Sequence, residues 1–323
     1  MNIFAMLVRR EFWEHRSLWI APLVWAGIVI VMCTWVLFVV VPHHVPHGMT
    51  DAASIEEIQG LSDADREKVR SAIATAQQHQ VSDSVISFSF LGVSQFISAF
   101  MCIVVFFYLI DCLFTERRDR SILFWKSLPL SDTQVVLSKL AIALVVVPIG
   151  VVLLSAATQL VLYLLVWLRF DGAFFRQVLT DWSMASWFRA LAVECAIMVC
   201  GVMWYAPIAA YFLLLSAWAR KLVFLWAIVP LIALPALEGF FFHTTNVLRF
   251  IGQRFGGFVQ AMHISPSAFN VGSHGTPAPR IGDVLGALDI SGVLLSTEAW
   301  LGVLACAAMV FLTIRIRRYR DET

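Results

Sequence analysis

Six apolar stretches, each near the roughly 20 residues a membrane-crossing helix needs, dominate this sequence. They run about Leu18 to Val41, Phe88 to Phe114, Val135 to Leu168, Leu191 to Leu215, Leu222 to Phe242 and Ala299 to Ile314, the last being the shortest. In lipid every backbone N–H and C=O must be satisfied inside the segment that carries it, so runs of this length specify helices. The expected fold is therefore an all-α polytopic membrane protein with six transmembrane helices. Composition agrees: 60% of the 323 residues are hydrophobic and 14% charged, against roughly 45–50% and 25% in soluble domains. So few charges could not keep 25 Phe and 12 Trp in solution, which excludes a soluble globular fold. Pro148 interrupts the third stretch, Pro207 the fourth, and Pro230 and Pro235 the fifth, so kinks or breaks are expected there.

Charge distribution sets the topology. With the N-terminus inside, the inner segments hold 14 of the 23 Lys and Arg residues, from Arg9, Arg10 and Arg16 through Arg117, Arg118 and Arg120 to Arg315, Arg317, Arg318 and Arg320. The other nine are spread over much longer outer loops, which places both termini in the cytoplasm. Residues 1–17 are either a plain cytosolic lead-in to span one or an N-terminal interfacial helix, and the wheel leaves both open: Ile3, Phe4 and Leu7 share a face with Arg10 and Glu14. Residues 42–87 form an outer acidic insertion with helical character, with Ser62 as N-cap ahead of Asp63, Asp65 and Glu67. Residues 243–297 form a second outer region, with a short helix expected around Phe258 to His263 before a Ser, Gly and Pro-rich stretch. Residues 315–323 read as a basic cytoplasmic tail. The six cysteines lie in or beside apolar runs, so no disulfide framework is expected.

Several chemistries are excluded by motif. A P-loop needs Gly-Lys-[Ser/Thr], and the four lysines follow Glu67, Trp125, Ser138 and Arg220. G-x-S-x-G, H-E-x-x-H and C-x-x-C are also missing. The net charge of +1 leaves no nucleic-acid footprint. No histidine lies within a span, which disfavours a buried bis-His haem.

The inner loop between spans two and three is the most informative stretch, T-E-R-R-D-R-S-I-L-F-W-K-S-L-P-L-S-D-T-Q-V-V-L-S-K-L from Thr115 to Leu140. Glu116, Arg117, Arg118, Asp119 and Arg120 make a charged entry; Ile122, Leu123, Phe124, Trp125 and Leu128 follow as an apolar surface; Pro129 forces a turn. Ser131 with Gln134 three residues on is a capping box able to start span three. By physics alone this is a short amphipathic helix parallel to the membrane, whether or not it does more.

Here the chain resembles the ABC-2 type transporter permeases, in which Glu, a basic cluster, an apolar run and Leu-Pro-[small polar] precede a Lys at the head of span three. The matching residues are Glu116, Arg117, Arg118, Leu128, Pro129, Leu130, Ser131 and Lys139; Arg120-Ser121 stands where the family often has Gly-Thr. The resemblance extends to the six-span layout, the charged N-terminal helix, the enlarged outer region before the last span and the Arg-rich tail. It implies a permease subunit of an exporter in a bacterial-type inner (plasma) membrane. It also implies pairing as a homodimer or with a paralogous permease, and coupling to a separate ABC ATPase subunit that carries ATP and Mg. On this reading the chain is not itself an enzyme, and the loop, about residues 115–134, is the coupling helix. Glu116, Arg117, Arg118 and Arg120 are then suited to charged contacts with the ATPase, Phe124 and Trp125 to anchoring, and Leu128 and Pro129 to shaping the turn.

Three acids stand in or at the edge of spans: Asp111, Glu194 and Glu238. Intramembrane carboxylates are functional candidates, and Glu194, Glu238 and Gln159 are the candidate pathway residues. Gln95, Ser155 and Thr158 could line the same path or simply bond helix to helix. His43, His44 and His47 form an H-H-x-x-H cluster, better read as interfacial polar residues than as a metal site, since no Cys or paired carboxylate completes it. Two alternatives stay open: a membrane enzyme using Glu194, Glu238 and outer histidines on a lipid-linked substrate, and a non-transporting anchor for a cytosolic partner.

Overall fold

The computed structural model describes residues 3–35, 38–39, 92–119, 130–169, 184–262 and 289–319, and all the elements among them are helices. In chain order these are α1 (Ile3–Glu14), α2 (Ser17–Trp35), α3 (Gly92–Arg118), α4 (Asp132–Ala141), a π-helical turn (Ile142–Val146), α5 (Val147–Arg169), α6 (Met184–Trp218), α7 (Val223–Phe242), α8 (Asn246–Ala261), α9 (Ile290–Leu294) and α10 (Thr297–Tyr319). Six are long and apolar enough to cross a membrane: α2, α3, α4 continued into α5, α6, α7 and α10. The chain is thus a multi-pass helical protein of membrane type, with spans close to those expected.

The prolines bend the expectation rather than break the helices. Pro148 has no N–H to donate and its ring crowds the carbonyl four residues back; the π turn at Ile142–Val146, immediately upstream, widens the helix by one residue and carries it through. α6 and α7 run uninterrupted past Pro207, Pro230 and Pro235.

α6 and α10 share an extensive contact, and α2 packs on α5. α6 offers Ala206, Ala209, Ala210 and Ala217 to the core, small residues that let neighbouring backbones approach. α3 is wedged between α2, where Trp25 Nε1 donates to the Phe96 carbonyl at 3.3 Å and stacks on Phe100, and α6, where Phe106 meets Phe212 edge to face. α7 buries only Val223 and Ala227 and leaves Ile232, Leu237, Phe240 and other large apolar side chains outward. Lipid is the solvent in which such a surface is stable.

α8 begins at Asn246, well before the expected short helix at Phe258, for a reason invisible locally. The Glu238 carboxylate accepts from the backbone N–H groups of Asn246 (2.9 Å) and Val247 (2.6 Å) and from Thr244 Oγ1, supplying from α7 the cap that the Thr245 side chain does not make. α8 then docks on α6. Arg254 lies over the Trp204 ring, 5.0 Å from its centroid, and donates to the Glu298 carbonyl at 3.2 Å. Gly302 of α10 makes room for it: a Cβ there would sit 1.8 Å from Arg254 Nη2. Residues 42–87 and 120–129, the Ser, Gly and Pro-rich stretch, and His43, His44 and His47 lie outside the described residues.

Candidate functional site

Two buried polar clusters stand out. The first gathers at the end of the bundle where α1, the last turn of α3, the first turns of α4 and the last turns of α10 meet. Lys139 of α4, only 1% exposed, contacts Glu11 of α1 and Glu116 of α3, the latter at 2.9 Å. Glu116 gives its other oxygen to Arg317 Nη1 at 2.7 Å, and Arg317 Nε reaches Asp132 Oδ1 at 3.1 Å. His15 Nε2 lies 3.2 Å from Glu11 Oε1. Three carboxylates thus enclose two permanent cations, and four helices are joined through charge.

Local sequence explains how each group arrives. On α1, Phe4, Leu7, Val8 and Glu11 fall at i, i+3, i+4 and i+7, so one face faces inward and carries Glu11 with it. Arg10 and Glu14, which blurred the wheel, bond each other at 3.1 Å outside that face. α4 starts with the expected capping box, Gln134 N–H donating to Ser131 Oγ and Ser131 N–H to Gln134 Oε1, which fixes Asp132 in the first turn and Lys139 two turns on. α10 continues to Tyr319, so Arg317 is a buried helical residue and not part of a flexible tail. Burial alone would push the Glu11 carboxyl up; the Lys139 ammonium, helped by His15, overrides this and holds it down at about 2.

This placement alters what the loop residues can do. Glu116 is buried and bonded to Lys139 and Arg317. Arg117 turns back to the end of α6 and donates to the carbonyls of Ser216 (2.5 Å) and Ala219 (2.9 Å), serving the C-terminal helix carbonyls that need a donor. Both side chains therefore carry bonds to other helices of this chain. Arg118 alone of the described trio faces out, its side chain 60% exposed beside Asp119. Arg120, Phe124, Trp125, Leu128 and Pro129 lie outside the described residues.

The second cluster lies toward the other end of the bundle. Ser94 Oγ of α3 donates to Glu194 Oε2 of α6 at 2.8 Å; Gln159 Nε2 of α5 donates to Ser94 Oγ at 2.9 Å, and Trp187 Nε1 of α6 to Gln159 Oε1 at 3.0 Å. Two of the three candidate pathway residues, Glu194 and Gln159, are therefore brought together, while Glu238 serves as the cap of α8 and belongs to another place. Asp111 is exposed and accepts from Thr115 Oγ1 at 2.6 Å. Glu194 and Glu238 do not converge on one pocket, and no group of three or more His, Cys, Asp or Glu fit to hold a metal occurs among the described residues.

Glu11, Asp132 and Arg317 were not among the expected site residues, nor were Ser94 and Trp187. The available signals were a lone Lys139 inside an otherwise apolar run and Glu11 one turn beyond Leu7 on the inward face; nothing in the sequence pairs them across more than a hundred residues. Comparison of the chain with protein-family models, with curated proteins and with solved structures gives no match.

Proposed function

We propose that this chain is the membrane-spanning permease subunit of an ABC-2 type exporter, working as a homodimer or with a paralogous permease and driven by a separate ABC ATPase that binds ATP and Mg. Its setting is a bacterial-type inner membrane with both termini cytoplasmic. One observation carries the reading: a single guanidinium, Arg317, holds Glu116 near the start of the inner loop and Asp132 near its end. Both ends of the loop are thereby fastened to α10, and through Lys139 and Glu11 to α1. A push on the loop by a partner is transmitted to several helices at once instead of being absorbed by slack. In this form of the mechanism Glu116 and Arg117 transmit force, and the loop residues Arg120, Phe124, Trp125, Leu128 and Pro129, with Arg118 beside them, meet the ATPase.

The test is gentle purification of the chain from its native membrane, with identification of what accompanies it and an assay of ATP hydrolysis. The expected result is a stoichiometric P-loop subunit whose binding is lost when Phe124 and Trp125 are both replaced by Ala, in a variant that unfolds at the wild-type temperature. Recovery of the chain alone, in a detergent shown to preserve complexes of this type, overturns the proposal.

A further inference from the structure

The Glu194 cluster contains a buried carboxyl with no cationic partner among the described residues. Glu194 is 2% exposed, and the groups around it are neutral: Ser94 on α3, Ser155 and Gln159 on α5, and Trp187 on its own helix. Arg189 and Cys195, the nearest ionisable neighbours along α6, are both exposed, and no described residue forms an ion pair with this carboxylate. The hydrogen bonds run one way. Trp187 donates to Gln159, Gln159 to Ser94 and Ser94 to Glu194 Oε2, a relay that orients one carboxylate oxygen. The other, Oε1, is buried and makes no well-formed hydrogen bond, and the Ser155 hydroxyl, 0% exposed, lies beside the carboxylate in a loose contact that falls short of hydrogen-bond geometry.

Leaving a bare carboxylate in such surroundings is strongly unfavourable, and helices that need only polar adhesion achieve it with Ser, Thr and Gln. Ser155 stands next to the Glu194 carboxyl, so one positive charge there is within reach of both Oε1 and Ser155 Oγ. We propose that Glu194, with Ser94, Ser155 and Gln159, is the binding site for one small monovalent cation, a proton or Na+. A proton on Oε1 would donate to Ser155 Oγ; Na+ would take Oε1 and Ser155 Oγ as oxygen ligands. Because the site joins α3, α5 and α6, its occupancy would bear on how these spans pack. The inference stands on these contacts whether or not the chain partners an ATPase.

The experiment uses the full chain in lipid nanodiscs, with thermal unfolding followed by tryptophan fluorescence along two axes. One replaces choline chloride by NaCl at constant ionic strength and fixed alkaline pH; the other lowers the pH in choline chloride alone. Glu194→Gln keeps an acceptor for Ser94 while removing the charge, so it folds, and Ser155→Ala keeps the charge while removing one oxygen. The expected result is a saturable rise in the wild-type melting temperature along one axis, absent in Glu194→Gln and displaced to several-fold higher ion concentration in Ser155→Ala. A rise with Na+ identifies the ion as sodium; a rise on acidification with no response to Na+ identifies the proton. Wild type and Glu194→Gln following the same curve on both axes overturns the proposal, as does a wild type that responds on neither.

Discussion

The two buried clusters handle charge in opposite ways. Where α1, α3, α4 and α10 meet, the carboxylates of Glu11, Glu116 and Asp132 have Lys139 and Arg317 between them; toward the other end, Glu194 has only neutral donors. The first arrangement is closed. A network of this kind contributes little net stability compared with apolar residues of the same volume, because desolvation cancels most of the attraction. It is strict about geometry, however: each cation spans two helices, and no member can shift without exposing another member's charge. The second arrangement is open, since its charge is completed by nothing the described chain provides. The first cluster suits a rigid joint, and the second suits a place where something from solution enters.

The largest effect that tests this contrast is loss of Lys139. Lys139→Ala leaves Glu11 and Glu116 buried without their shared cation, and removing one partner of a buried pair typically costs about 3–5 kcal/mol. A fall in melting temperature of many degrees is expected, measured in nanodiscs beside Glu194→Gln, which removes a charge from the open cluster and leaves none stranded. If the two variants lose similar stability, the distinction between a closed and an open cluster is wrong.

A second effect lies in acid. The Glu11 carboxyl is held at about 2, below its ordinary 4.5, so the folded protein binds this proton less readily than the unfolded chain. Its contribution is fully present above about pH 4.5 and is lost as pH falls toward 2. Subtracting the stability-versus-pH curve of Glu11→Gln from that of the wild type should give a difference that declines across that window and is flat above it. A difference that is level through the window would show that Lys139 does not govern Glu11.

The contrast also explains what the sequence could reveal. The six spans were legible because hydropathy over twenty residues is a local property, and the start of α4 because Ser131 and Gln134 sit in one turn. The end of α10 was not: Arg315, Arg317 and Arg318 look like a tail, and only Glu116 and Asp132, far away in the chain, draw Arg317 inward. The start of α8 was missed for the same reason, its cap being Glu238 on the preceding helix. Glu194 and Gln159 could be picked out as polar residues in apolar runs, but Ser94, the hydroxyl that joins them, is an ordinary serine until three helices are packed. Even Glu116 and Arg117, found by motif, have internal partners that no local pattern reveals, since a sequence shows that a residue is charged and not which way it faces.

The smallest effect sharpens the mechanical side of the comparison. Ser131→Ala removes the hydroxyl that accepts from the Gln134 N–H, and loss of an N-cap costs about 1 kcal/mol. That cost falls where α4 leaves the inner loop, one residue before Asp132, whose bond to Arg317 is the more exposed arm of the clamp: its side chain is 25% exposed against 9% for Glu116. If the clamp works as one piece, loosening this turn should weaken the Asp132 arm while sparing the Glu116 arm. A double-mutant cycle of Ser131→Ala with Asp132→Asn should therefore show a coupling of several tenths of a kcal/mol or more, as neighbours in one network do. The same cycle with Glu116→Gln should add independently. Equal coupling in both cycles would mean that the two arms of Arg317 yield together, and that the loop is held at one point rather than at two.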